Sequence, residues 1–257
     1  MTANPDLTVN DTGPKLLLWN AKERADRPAM REKYLGIWQT WSWSEMAGEV
    51  EGIAGGFKAL GLERGDRISI IGDNRPRLYW SIIAAQSLGA VPVPVYQDAV
   101  AEEMQYILEH AESRFIVCEN QEQVDKVLQI KDECPKIDTL VYADDRGMRD
   151  YTQPYLHNFD DVVARGRQYN SDCPDFYQEE VAKGQGADTS IMLYTSGTTG
   201  RPKGVVLTYD NILKTAYNAV KFEGLQETDE VLAYLPMAWV GDHIFSYAQA
   251  LTSGLCT

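Results

Sequence analysis

"YTSGTTGRPKGV", residues 194–205, lies between two apolar runs, Ile191-Met192-Leu193 before it and Val205-Val206-Leu207 after it. Inside it stand the hydroxyls of Thr195, Ser196, Thr198 and Thr199, the glycines Gly197 and Gly200, then Pro202 and Lys203. The flanking runs read as buried strands, yet the stretch between them has almost nothing to bury. Something other than the chain is what it packs against. Gly197 and Gly200 allow backbone amides to approach a ligand closely. The hydroxyls donate hydrogen bonds, Lys203 adds a positive charge and Pro202 stiffens the bend. Together they form a nest for a polyanion, with phosphate the first candidate. The spacing is not that of the common nucleotide loop G-x-x-x-x-G-K-S/T, because Pro202 stands five residues after Gly197 and Gly204 follows Lys203.

Working outward from this loop, the text alternates short apolar runs with longer amphipathic ones. "RISII" (67–71), "AVPVPV" (90–95), "RFIVC" (114–118), "TLVYA" (139–143) and "SIMLY" (190–194) read as strands. Helices are expected from about Pro76 to Leu88, over 99–111, over 121–130 and from Tyr209 to Phe222. Strands separated by helices of this length imply crossover connections. The fold class is therefore α/β: mainly parallel sheets with helices on both faces. In such sheets ligands bind beyond the carboxyl ends of the strands, and the loop after "SIMLY" occupies such an end.

Elsewhere the pattern is less regular. A short helix is expected from Lys15 to Ala25, and Trp38, Trp41 and Trp43 have spacing closer to a strand. Ser44 is the expected N-cap of a helix whose Ala47, Val50, Ala54 and Phe57 form one stripe and which Gly61 closes. Residues 144–186 read as a charged surface excursion carrying one or two helices, "EVLAYLP" (230–236) as a strand, and a last helix begins near Asp242.

Bulk composition excludes several classes. At 257 residues and 44% hydrophobic, the chain can bury a sizeable core. A net charge of −14 repels nucleic acid and anionic headgroups, so neither is an expected partner. No apolar run approaches a bilayer span. The segment "MTANPDLTVNDTGP" has no secretory pattern, so a cytoplasmic, soluble protein is expected. Cys118, Cys134, Cys173 and Cys256 lack metal-site spacing and read as reduced thiols. His110 and His157 stand without a polar constellation in the sequence.

"TSGTTGRPKG", residues 195–204, resembles the phosphate-binding signature of the adenylate-forming superfamily: acyl-CoA synthetases, peptide-synthetase adenylation domains and luciferases. "NRPRLYWSIIAAQSLGAVPVPVY" (74–96), "EEMQYILEHAESRFIVCEN" (102–120) and "LTYDN" (207–211) are similar to the acid–CoA ligase branch, and the long-chain fatty acid–CoA ligases look nearest. The resemblance implies ATP-dependent activation of a carboxylic acid to acyl-adenylate, then transfer to CoA, with magnesium. It places Thr195, Ser196, Gly197, Thr198, Thr199, Gly200 and Lys203 on the ATP phosphates. Lys203 and Thr195 are the catalytic candidates, with Thr195 also near the metal. "LAYLPMAW" (232–239) looks like a pocket-lining segment, which makes Trp239 and His243 candidates for the acyl pocket; relatives often carry His where Trp239 stands.

Residues 1–13, polar and with Pro5 and Gly13, read as a loose N-terminus, and the same resemblance implies an incomplete N-terminal AMP-binding domain over 14–257. Residues 62–225 would form the main sheet, with 14–61 and 226–257 belonging to a second, unfinished layer. The acidic magnesium ligand, the hinge and the C-terminal lid with its lysine fall outside the text. The chain is thus expected to be an N-terminal fragment, inactive alone. Two alternatives stay open: an adenylation enzyme that loads a carrier protein, and a non-catalytic truncated nucleotide-binding module.

Overall fold

The computed structural model describes residues 4–195 and 201–257. Its centre is a five-stranded parallel sheet in the order β4-β3-β5-β6-β7. These strands are β3 Arg67–Ile71, β4 Val91–Val95, β5 Phe115–Cys118, β6 Thr139–Tyr142 and β7 Leu156–Asn158. Side chains of one strand alternate between two cores, as the pleat requires. Ile68, Ile70, Phe115 and Val117 join one apolar cluster, with α2 (Trp43–Ala59) and α3 (Pro76–Ser87). Ile71, Ile116 and Cys118 join the other, with α4 (Ala101–Ala111) and α5 (Gln121–Gln129). Helices therefore cover both faces. Ser69, within β3, is buried and bonded to Ser113 Oγ at 2.7 Å.

Helix ends follow local chemistry. The N-cap of α2 is Ser42 rather than Ser44: its hydroxyl accepts from Glu45 N, and Glu45 returns a bond to Ser42 N. The expected stripe is in place, with Val50, Ala54 and Phe57 wholly buried. After Leu60 the chain turns at Gly61, whose φ of +94° suits glycine. Helix α1 (Gly13–Glu23) is capped by Thr12. Ahead of it, Asp11 accepts from Lys15 Nζ and from Gly186 N, each at 2.8 Å, tying the entry of the chain to the body.

Residues 144–186 are more than a surface excursion. β7 extends the sheet, and α6 (Phe159–Asp172) crosses α2 at backbone contact through Gly52, Gly55, Gly56 and Gly166. A Cβ on Gly166 would lie 1.8 Å from the Gly52 carbonyl oxygen. Helix α7 (Phe176–Lys183) follows and packs against α1, α2 and α3.

β8 (Thr189–Thr195) runs beside β4 and pairs antiparallel with β9 (Lys203–Thr208), which leads into α8 (Tyr209–Glu223). β9 is not a buried strand: Val205 and Val206 are 40% and 50% exposed. Among the described residues it pairs along one edge only, and none of its side chains is fully buried.

A second layer assembles from distant segments. β1 (Pro28–Tyr34) and β2 (Ile37–Ser42) form a hairpin. Arg31 N donates to Thr257 O and Thr257 N to Ala29 O. Cys256 in turn bridges Glu230 in parallel. "EVLAYLP" shows the side-chain alternation of a strand, with Leu232 and Tyr234 about three-quarters exposed at 77% and 75%. Among the described residues it pairs only at Glu230, so it is not a strand. The last helical stretch comprises α9 (Val240–Asp242), a π-helical turn His243–Ala248 and α10 (Gln249–Ser253). No helix of the described residues is long and apolar enough to cross a membrane. The cysteines are free, and Cys173 alone of them is exposed.

Candidate active site

The β8–β9 ladder closes on the pair Thr195↔Lys203. Partners on opposite strands present side chains about 5 Å apart at Cβ. The two residues therefore stand opposite each other at the exposed end of the hairpin. Both residues are solvent-accessible. Ser196, Gly197, Thr198, Thr199 and Gly200, the remaining residues assigned to phosphate, lie outside the described residues.

Below this end the stems are fastened. Tyr194 Oη lies 2.7 Å from His110 Nδ1, and the Tyr106 hydroxyl donates to the Pro202 carbonyl at 3.1 Å. Burial pushes the Tyr194 phenol up to about 12, so it is a neutral group at physiological pH. Gly204, paired across the ladder with Tyr194, leaves room for that ring: a Cβ there would meet Tyr194 Cζ and Met192 Sδ at 3.3 Å. His110 thus has a polar constellation after all. Its spacing of four residues from Tyr106, on a helix, was the available signal; the partners lie far away in sequence.

Trp239 and His243 do not share a face. Trp239 precedes α9 in extended backbone and is 49% exposed. His243 is buried, and its Nε2 lies 2.6 Å from the Met237 carbonyl. Burial lowers the imidazole to about 4 despite that bond, so it stays neutral and holds the turn at Met237. One position earlier, Asp242 is fully buried and accepts from Tyr79 Oη at 2.8 Å on both carboxylate oxygens, linking the last helical stretch to α3. The sequence reading passed over this carboxylate. Burial raises it to about 6, against bonds from Tyr79 and Ser246 that hold it down.

Two broad clefts, of about 710 and 770 Å³, flank Arg75 and Pro76; Thr195 and Lys203 line neither. The first opens at the carboxyl ends of β3, β5 and β6. Its arginines are already engaged: Arg75 with Glu32 and Glu119, Arg77 with Asp160, Arg146 with Asp144, and Arg167 with Glu49. No group of three His, Cys, Asp or Glu able to hold a metal occurs among the described residues.

Residues 17–257 match the family model described as AMP-binding enzyme. A long-chain-fatty-acid–CoA ligase, ACSBG2 of Xenopus laevis, is 31% identical over 92% of this chain. ACSBG1 of Bos taurus, of the same description, is 29% identical over 86%. The matched regions are 31% and 30% of those proteins, so the chain spans about a third of the length of these relatives. Among solved structures, ATP-bound MatB from Rhodopseudomonas palustris superposes with a TM-score of 0.75 at 19% identity, covering 96% of this chain and 44% of that one. At that identity the likeness is one of fold.

Proposed function

Since the chain belongs to the AMP-binding enzyme family, we propose that it is the phosphate-gripping part of an AMP-forming fatty acid–CoA ligase. The observation that carries this reading is the Thr195↔Lys203 pair at the open end of the β8–β9 hairpin, with the hydroxyl- and glycine-rich segment 196–202 between its members. A hydroxyl-bearing and a cationic residue at paired strand positions suit a triphosphate tail, because both stabilise oxygens on which charge builds.

In the reaction a fatty carboxylate attacks the α-phosphorus of ATP. The bond to the bridging oxygen breaks and pyrophosphate leaves. Two anions must approach, and negative charge grows on the leaving group. Lys203 offsets that charge, while Thr195 donates to a phosphate oxygen, joined by Ser196, Thr198 and Thr199. Gly197 and Gly200 keep the backbone close. Magnesium prefers phosphate oxygens and water and takes few protein ligands, so one hydroxyl such as that of Thr195 is a fitting contribution. When bound, the ion neutralises phosphate charge. The thiol of CoA then displaces AMP to give the thioester. Trp239 forms a wall of the acyl pocket, and His243 fixes the turn that presents it.

The test uses the full-length protein. Acid-dependent ATP–pyrophosphate exchange and thioester formation on CoA are the expected activities, and Lys203→Ala lowers the exchange rate about 100-fold or more while the fold stays intact. Unchanged exchange in that variant removes Lys203 from the mechanism. Stable acyl-AMP in the presence of CoA would instead indicate a carrier-protein acceptor.

A further inference from the structure

Helix α4 presents Tyr106 and His110 one turn apart toward the hairpin, and each reaches a different stem. His110 Nδ1 meets the hydroxyl of Tyr194, the residue before Thr195. The Tyr106 hydroxyl donates to the carbonyl of Pro202, the residue before Lys203. Thr195 and Lys203 therefore each sit one position from a residue bonded to the same helix. Ring contacts reinforce the bonds. The rings of Tyr106 and His110 lie 5.6 Å apart, and Tyr194 meets His110 edge-on at 5.6 Å. The Arg201 guanidinium lies 5.4 Å from the Tyr106 ring centroid.

The opposite face of α4 is fixed in the core: Met104 and Leu108 are essentially buried. The helix is thus a rigid support, whereas the hairpin is a two-stranded ribbon whose second strand is exposed. β8 packs beside β4, so it is the exposed β9 stem that most needs holding. We propose that Tyr106 and His110 are positioning residues that clamp both stems, so that Thr195 and Lys203 stand ready for the phosphates before ATP arrives. The proposal rests on the reading that this hairpin end grips the triphosphate. Neither residue touches substrate in it; they remove the ordering that binding would otherwise require.

The test is steady-state kinetics of the full-length ligase with Tyr106→Phe, His110→Ala, His110→Asn and, as reference, Lys203→Ala. Tyr106→Phe deletes one hydroxyl and keeps the ring. His110→Asn keeps a polar group near the position of Nδ1. Loss of one stem bond is expected to lower kcat/KM for ATP about 3- to 10-fold. The double variant Tyr106→Phe/His110→Ala should lower it on the order of 100-fold through misplacement of the reacting groups. KM for the fatty acid stays unchanged, the melting temperature stays near wild type, and His110→Asn recovers most of the loss. If Lys203→Ala is impaired while the α4 variants keep kcat/KM for ATP within about twofold, well under the cost of one hydrogen bond, the clamp is overturned and the phosphate reading stands. If the α4 variants weaken ATP and fatty acid alike together with the melting temperature, their role is general stability and the clamp is again overturned. If Lys203→Ala itself is unimpaired, the phosphate reading falls and the clamp with it.

Discussion

Replacing Gly166 with Ala tests the close crossing of α2 and α6, which holds the last part of the sheet against the first core. The added Cβ would stand 1.8 Å from the Gly52 carbonyl oxygen and 2.3 Å from Gly56 N. Both are backbone atoms of a helix, with no rotamer that moves them aside. Ordinary contact begins at 3.4 Å, so along that line the helices must part by 1.6 Å, the difference between 3.4 and 1.8. A gap of even 0.5–1 Å forfeits about a quarter to a half of each dispersion contact. Phe159, Val162 and Val163 belong to the cluster that would be pried open. Overpacking usually costs about 1–3 kcal/mol, and an unyielding backbone neighbour puts this case at about 3 kcal/mol or more. Gly48, on the partner helix α2, supplies the control. Its added Cβ meets nothing within 4 Å, so Gly48→Ala should stabilise by about 0.5–1 kcal/mol through helix propensity. Urea unfolding followed by tryptophan fluorescence measures both. An unfolding midpoint for Gly166→Ala at or above that of the unaltered protein would show that the helices do not cross at backbone contact.

Asp242 makes stability depend on pH with an unusual sign for a carboxylate. Its folded value of about 6 lies above its ordinary 3.8, so this contribution is complete below about pH 4 and is lost as pH rises toward 6. At about 1.4 kcal/mol per unit, the loss is roughly 3 kcal/mol, constant above that window. Asp242→Asn, which can still accept from Tyr79, should match the unaltered protein near pH 4 and exceed its stability at pH 7; a difference independent of pH would refute the assignment. Thiol labelling gives a separate check: Cys173 reacts in the native state, while Cys118, buried and with its thiol pushed far upward, reacts only on unfolding. Equal native rates for the two would contradict their placement.

Much of the α/β pattern was legible because it is written in local periodicity. "RISII" became β3 at the expected residues, and "TLVYA" and "RFIVC" lost only their edges. β7 was missed because "LHN" carries no apolar alternation, and only backbone pairing with β6 makes it a strand. "EVLAYLP" errs the other way. Its alternation is real, but a strand is defined by its neighbour, and described pairing stops at Glu230. The displaced cap of α2 is a smaller case, since Ser42 and Ser44 are both plausible until Glu45 completes the reciprocal pair with one of them.

The sequence by itself placed hydroxyls, glycines, a proline and a lysine between two strand-forming runs, the pattern from which phosphate binding is proposed. It also determined that helices cover both faces of a parallel sheet. Tertiary structure alone decided what fastens the stems of that hairpin. His110 and Tyr194 are 84 residues apart, and Tyr106 and Pro202 are 96 apart. They meet because β8 lies alongside β4, the strand that feeds α4. The glycines of α2 and α6 likewise acquire meaning only where two backbones touch. Short-range patterns record which surfaces a segment must bury; which distant segment buries them is settled by the order of strands in the sheet.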